Sequence, residues 1–194
     1  GLMLLTVWEL NKHAKGNSLT EWVELEGKKL YAFWVDPTLS FTQTKVNGRD
    51  GYMVSAGDRI TIVDEVTVPD TYKGLPVLMV AGSAFKNCSN LKVVNLPSTI
   101  ESISVVDPFE GCTDLEAINV YNVQGTTTVR YWSENGVLFF NGDNGNSPAS
   151  VAAIPVAKTG SYRIPDGIVE ITAEAFKGSK ISKVVIPTSV TKIN

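Results

Sequence analysis

The chain has 194 residues, 43% hydrophobic and 19% charged, with a formal net charge of −3. That apolar content excludes a disordered chain. Lysines and arginines scattered singly or in pairs such as Lys28-Lys29 exclude the basic stripe of a nucleic-acid binder, and two cysteines with one histidine exclude a disulfide-dense scaffold and a Cys/His metal site.

The opening GLMLLTVWEL is too short to span a bilayer and lacks the basic n-region and small-residue cleavage site of a secretory signal, so a strand or short helix is expected. Residues 1–57 show no repeat. They hold Trp8, Trp22 and Trp34, strand-like alternation in WVELEGKKLYAFWV, and turn signals at Glu26-Gly27-Lys28 and Asn47-Gly48. The expectation is a small β-rich N-terminal region that precedes or caps the rest of the chain. His13 would have to serve any Ser/His/Asp or Cys/His mechanism, yet its surroundings, NKHAKGNS, read as solvated surface.

The remainder repeats. AFKNCSNLKVVNLP, Ala84 to Pro97, returns as PFEGCTDLEAINV, Pro108 to Val120. Phe85 and Phe109, Cys88 and Cys112, Leu91 and Leu115, Val94 and Ile118, and Leu96 and Val120 all stand 24 residues apart. A third copy, AFKGSKISKVVIP, sets Ile181, Val184 and Ile186 after Phe176, with one residue fewer between aromatic and strand and no cysteine. A degenerate earlier strand has Val63, Val66 and Val68 before Pro69.

Each copy ends in a strand of period two, and Pro97 and Pro187, like Pro69, Pro155 and Pro165, stop a strand because proline cannot donate to a sheet ladder. Apolar residues at wider intervals (Ile100 and Ile103, or Ile168 and Ile171) then lead to the next aromatic. One unit cannot bury its own apolar face, whereas units stacked about 4.8 Å apart can. The spacing therefore predicts a leucine-rich-repeat solenoid over residues 58–194, β-rich with short helical or irregular back segments, each Phe filling the same slot. Cys88 and Cys112 would lie one above the other at a separation a disulfide needs. Their parallel side chains favour two reduced, buried thiols.

The pattern Ile171-x-x-x-Ala175-Phe176, the AFKNCSNL block and the closing strands with LPST or IPTS tails resemble the BspA-like leucine-rich repeats, over about residues 60–194. VTVPDTYKGLPV, Val66 to Val77, resembles that family's lead-in to a first full repeat. RYWSENGVLFF, Arg130 to Phe140, and GSYRIPDGIVEI, Gly160 to Ile171, resemble its hairpin insertion, placed at about 121–163. Six residues separate Ile103 from Phe109 where five separate Ile171 from Phe176, and Pro108 replaces the usual Ala, so a bulge is expected near Val105-Val106. The resemblance implies a bacterial cell-surface or secreted, extracellular location and binding to host matrix proteins, other cells or glycans.

No P-loop, dinucleotide fingerprint or nucleophile elbow occurs. NGDNGN around Asp143 lacks the ligand spacing and closing Glu of a calcium loop, and reads as a loop tip. Asn87-Cys88-Ser89 matches a glycosylation acceptor only as a single short motif. The expectation is a protein that is not an enzyme, with no cofactor, metal or catalytic residue, and with a protein or glycan ligand. Its candidate binding residues are the outward strand positions Glu65, Thr67, Val93, Asn95, Ala117, Asn119, Lys183 and Val185. Two alternatives stand beside it. One is a structural spacer that self-associates through the uncapped end at Thr191-Lys192-Ile193-Asn194. The other is a glycan-active enzyme using the Trp-rich N-terminal region.

Overall fold

A computed structural model describes residues 23–25, 28–30, 39–57, 64–104, 107–142 and 148–194. Trp8, His13, Trp22, Trp34, Val63, Val105-Val106 and Asp143 lie outside the described residues, and with them the expectations placed on those positions. Two compact units divide the chain, Gly1–Val35 and Asp36–Asn194. In the first, β1 (Val23–Leu25) pairs antiparallel with β2 (Lys28–Leu30).

The second unit opens with an antiparallel hairpin, β3 (Leu39–Val46) and β4 (Arg49–Ala56). Its turn, Asn47-Gly48, has φ of 49° and 81°, the two left-handed residues that a tight hairpin turn requires. The chain then winds through about five turns. Their first strands are β5 (Asp64–Thr67), β6 (Thr71–Tyr72), β7 (Leu75–Val80), β8 (Leu91–Pro97), β9 (Ser102–Ile103) and β10 (Ala117–Tyr121). β5, β8 and β10 form one parallel sheet, the ladder side, while β7 pairs in parallel with β4 and β9 on the back. The hairpin β3–β4, although it lies in the stretch without repeats, is thus the first layer of the stack. Leu39, Tyr52, Val54 and Ala56 are buried there, and Phe41 stacks on Tyr72 at 4.3 Å.

The register follows the sequence period. Val94 lies opposite Ile118 and Leu96 opposite Val120, and on the other side Val66 lies opposite Val94. Phe85 has no exposed surface and its ring stacks on Phe109 at 5.8 Å and 4°. Asn87, Gly111 and Gly178, each two residues past a phenylalanine, share left-handed φ of 63°, 78° and 69°. That conformation is why the motif places Asn or Gly there.

After β10 the pattern breaks. β11 (Tyr131–Glu134) and β12 (Val137–Phe140) form an antiparallel hairpin about Asn135-Gly136, with Trp132 stacked on Phe139 at 4.5 Å. β13 (Ser150–Ala153) adds antiparallel to β12. Regular turns then resume with β14 (Thr159–Arg163), β15 (Glu170–Ile171), β16 (Lys180–Val185) and β17 (Lys192–Ile193). β14 pairs in parallel with β16, Tyr162 opposite Val184, and β15 with β17, Ile171 opposite Ile193. Among the described residues, antiparallel pairing after β10 is therefore confined to 131–153, and Gly160–Ile171, grouped with the insertion by resemblance, is a regular turn of the stack. No helix occurs among the described residues. The back segments expected as short helical or irregular pieces include short strands, because each is only a few residues long and finds a ladder partner in the next turn.

Candidate functional site

The ladder side gathers the outward positions. Glu65, Val93 and Ala117 stand in one cross-strand row, and Thr67, Asn95 and Asn119 in the next. Lys183 and Val185 do not join them. They lie on β16 in the second ladder sheet, opposite Ser161 and Arg163. The turn of the hairpin β11–β12 separates the two groups: Ile118 donates its N–H to Gly136 O at 2.9 Å, and Val120 donates to Ser133 Oγ at 2.7 Å. A Cβ on Gly136 would sit 2.7 Å from that of Ala117, so only glycine lets the tip come this close.

The first group is tied together by side chains. Asn119 Nδ2 donates to Asn95 Oδ1 at 3.1 Å, and Asn95 Nδ2 donates to Thr67 Oγ1 at 3.1 Å and to Glu65 Oε1 at 2.5 Å. At the same edge Lys92 Nζ donates to Asp64 Oδ1 at 2.6 Å, and this hydrogen bond, with the charge of Asp64, raises the lysine's pKa. The result is a polar row held across three strands of one parallel sheet. Val93 and Ala117 beside it are half-buried and small, which keeps the surface flat.

Sequence reasoning missed the residues around the hairpin tip. Glu134, Asn135, Lys158, Ser161, Arg163 and Asp166 line a recess of about 490 Å³. Lys158 Nζ donates to Asn135 O at 2.5 Å, Tyr162 Oη donates to Glu134 O at 3.2 Å, and Arg163 pairs with Asp166 at 3.5 Å. Burial pushes the Tyr162 hydroxyl's pKa up, so it serves here as a neutral donor. Two signals mark these positions in the sequence: the Asn-Gly turn dipeptide at 135–136, and the 22-residue offset that sets Arg163 against Val185.

Neither cysteine forms a disulfide. Cys112 Sγ donates to Phe85 O at 3.0 Å, and burial, helped by the neighbouring Cys88, pushes its pKa to about 12. A thiol so hard to ionise is a poor nucleophile. Among the described residues no group of three or more His, Cys, Asp or Glu side chains could hold a metal ion.

Six copies of the BspA type leucine rich repeat region match residues 63–133 and 156–194, more than half the chain and interrupted where the hairpin intervenes. The chain belongs to the BspA-type leucine-rich repeat family. Such repeats are typically non-catalytic and generally bind proteins. Among solved structures, a leucine-rich repeat protein from Eubacterium ventriosum is 23% identical, with a TM-score of 0.51 over 67% of this chain and 31% of that one. A Bacteroides ovatus leucine-rich repeat protein is 22% identical (TM-score 0.45, 84% of this chain, 37% of that one). A leucine rich cell surface protein from Faecalibacterium prausnitzii is 12% identical (TM-score 0.39, 82% of this chain, 72% of that one). This BspA-type chain thus spans under a third of the Eubacterium protein, and that likeness speaks to fold alone. Curated proteins give no match. Among the described residues no helix is long and apolar enough to cross a membrane.

Proposed function

We propose that this chain is a non-catalytic binding module of a bacterial cell-surface or secreted protein, contacting host matrix proteins, other cells or glycans through its ladder face. One observation carries the reading: the row Glu65/Thr67–Asn95–Asn119, aligned across three turns and fixed by side-chain hydrogen bonds. Pre-ordered donors and acceptors lose little entropy when they meet a ligand. Family membership supports the surface location. The test is an array of matrix proteins and glycans probed with the full chain and with Glu65→Lys/Asn119→Arg, both outward and half-buried or exposed. Binding lost without a change in unfolding midpoint supports the face, and binding that survives the double change refutes it.

A second reading, self-association, is favoured by Ile186 and Ile193, which are 46% and 63% exposed in the last turns. Light scattering decides it: a mass that stays monomeric at every concentration ends that reading.

A further inference from the structure

The hairpin β11–β12 thickens the back of the stack without thickening the edge where the phenylalanines lie. Its strands add to the back sheet beside β13, and Tyr131 Oη accepts a hydrogen bond from Ile103 N at 3.3 Å, so the hairpin follows β9 directly. On the aromatic edge the turns meet directly, Ala157 N donating to Leu115 O at 2.8 Å. Phe85 N donates to Pro108 O at 2.7 Å, and Ile154 N donates to Ala175 O at 3.1 Å in the equivalent bond. Ile154 therefore occupies the slot that Phe85, Phe109 and Phe176 fill in the other turns.

A wedge thickened on one side and given a smaller residue on the other leaves space. A cavity of about 440 Å³ lies there, with Phe109 and Ile154 on its walls and Tyr131, Leu138 and Phe140 from the hairpin. Apolar cavities of about 150 Å³ accept benzene, and ligand sites commonly measure about 300–1,000 Å³, so this one has room for a two-ring aromatic.

Two further features restrict the occupant. Ser150 lines the cavity and is 4% exposed, which puts a hydroxyl within reach of an occupant. A hydroxyl on the wall of such a cavity can hydrogen-bond a ligand's polar atom away from competing water. At the rim, Lys177 bonds to Glu174 at 3.0 Å and also feels Asp107 and Glu110. Even with Glu110 held by Lys86 at 2.8 Å, carboxylates outnumber cations at this rim.

We propose that this cavity binds a small planar aromatic amine. Its ring continues the phenylalanine stack between Phe109 and Ile154, a ring heteroatom meets Ser150, and its ammonium group faces Asp107 and Glu174.

Calorimetric titration of the full chain with tryptamine, indole and indole-3-acetate tests this directly. Saturable binding is expected, with tryptamine about tenfold tighter than indole-3-acetate and the gap narrowing as salt is raised. Ile154→Phe restores the missing ring and should weaken tryptamine at least about tenfold while keeping or raising the unfolding midpoint. Ser150→Ala, which removes one oxygen and leaves the packing, should weaken indole and tryptamine alike by a few-fold, independently of how Ile154→Phe folds. Glu174→Gln should shrink the preference for the amine and leave indole unchanged. Absence of saturable binding by all three compounds overturns the proposal. So does affinity untouched by both cavity variants, or tighter binding of the acetate than of the amine.

Discussion

The turns before the hairpin and those after it use the same motif and bury it to different depths. Phe85, Leu91, Val94 and Leu96 have no exposed surface, whereas Phe176, Ile181 and Val184 are half-buried and Ile186 is 46% exposed. β8 has ladder partners on both sides, β5 and β10, while β16 pairs with β14 alone among the described residues. In a stack whose units touch only their neighbours, burial counts the neighbours more than the residue's own chemistry. The same difference splits the interior into two clusters, one from Leu39 to Ile118 with Leu138, the other from Val137 to Ala175.

The largest test of that comparison is a matched pair of truncations. Phe85→Ala should cost about 3–5 kcal/mol, and Phe176→Ala, already part exposed, about half as much, by urea unfolding of the full chain. Equal losses would break the link between burial and neighbours. Next comes the joint between the two stretches. Gly136→Ala meets both a φ of 75° and the Ala117 Cβ, and should cost about 2–4 kcal/mol; Gly160→Ala, with a φ of 82° and open space, should cost only the conformational part, about 1–2 kcal/mol. Smaller still, Asn95→Ala removes the centre of the polar row and should cost about 1–2 kcal/mol, while Lys183→Ala on the later sheet should stay within about 0.5 kcal/mol.

The smallest effect concerns pH. Cys112 has its folded pKa raised by burial to about 12. Its contribution to stability is whole below the ordinary thiol pKa of about 8.5 and is lost as pH rises from there towards 12, because only the unfolded chain ionises in that window. The unfolding midpoint should therefore fall more between pH 8 and 10.5 for the native chain than for Cys112→Ala. A thiol reagent at pH 8 should label Cys88 and Cys112 only after denaturation.

Much of the stack was legible in the residues. Matched spacing of Phe85 with Phe109, and of Val94 with Ile118, named both the slot and the ladder register, because each turn must present the same shape to the next. The grouping of the candidate face was legible only in part. Six outward positions came together as alternation requires, but Lys183 and Val185 were separated from them by a hairpin tip whose seat beside Ala117 depends on a contact between distant segments. The start of the stack was hidden for a related reason: β3 and β4 carry no repeat, so nothing local marks them as the first layer.

The sequence by itself determined the unit, its period, its aromatic slot and which strand residues face inward, since these follow from one turn's need to bury its apolar face on an identical neighbour. Only the tertiary structure decided where that regularity fails. The hairpin thickens the back of the stack, Ile154 takes a phenylalanine's place, and a cavity opens between them. Its volume depends on how two segments more than a dozen residues apart pack, which no local pattern records.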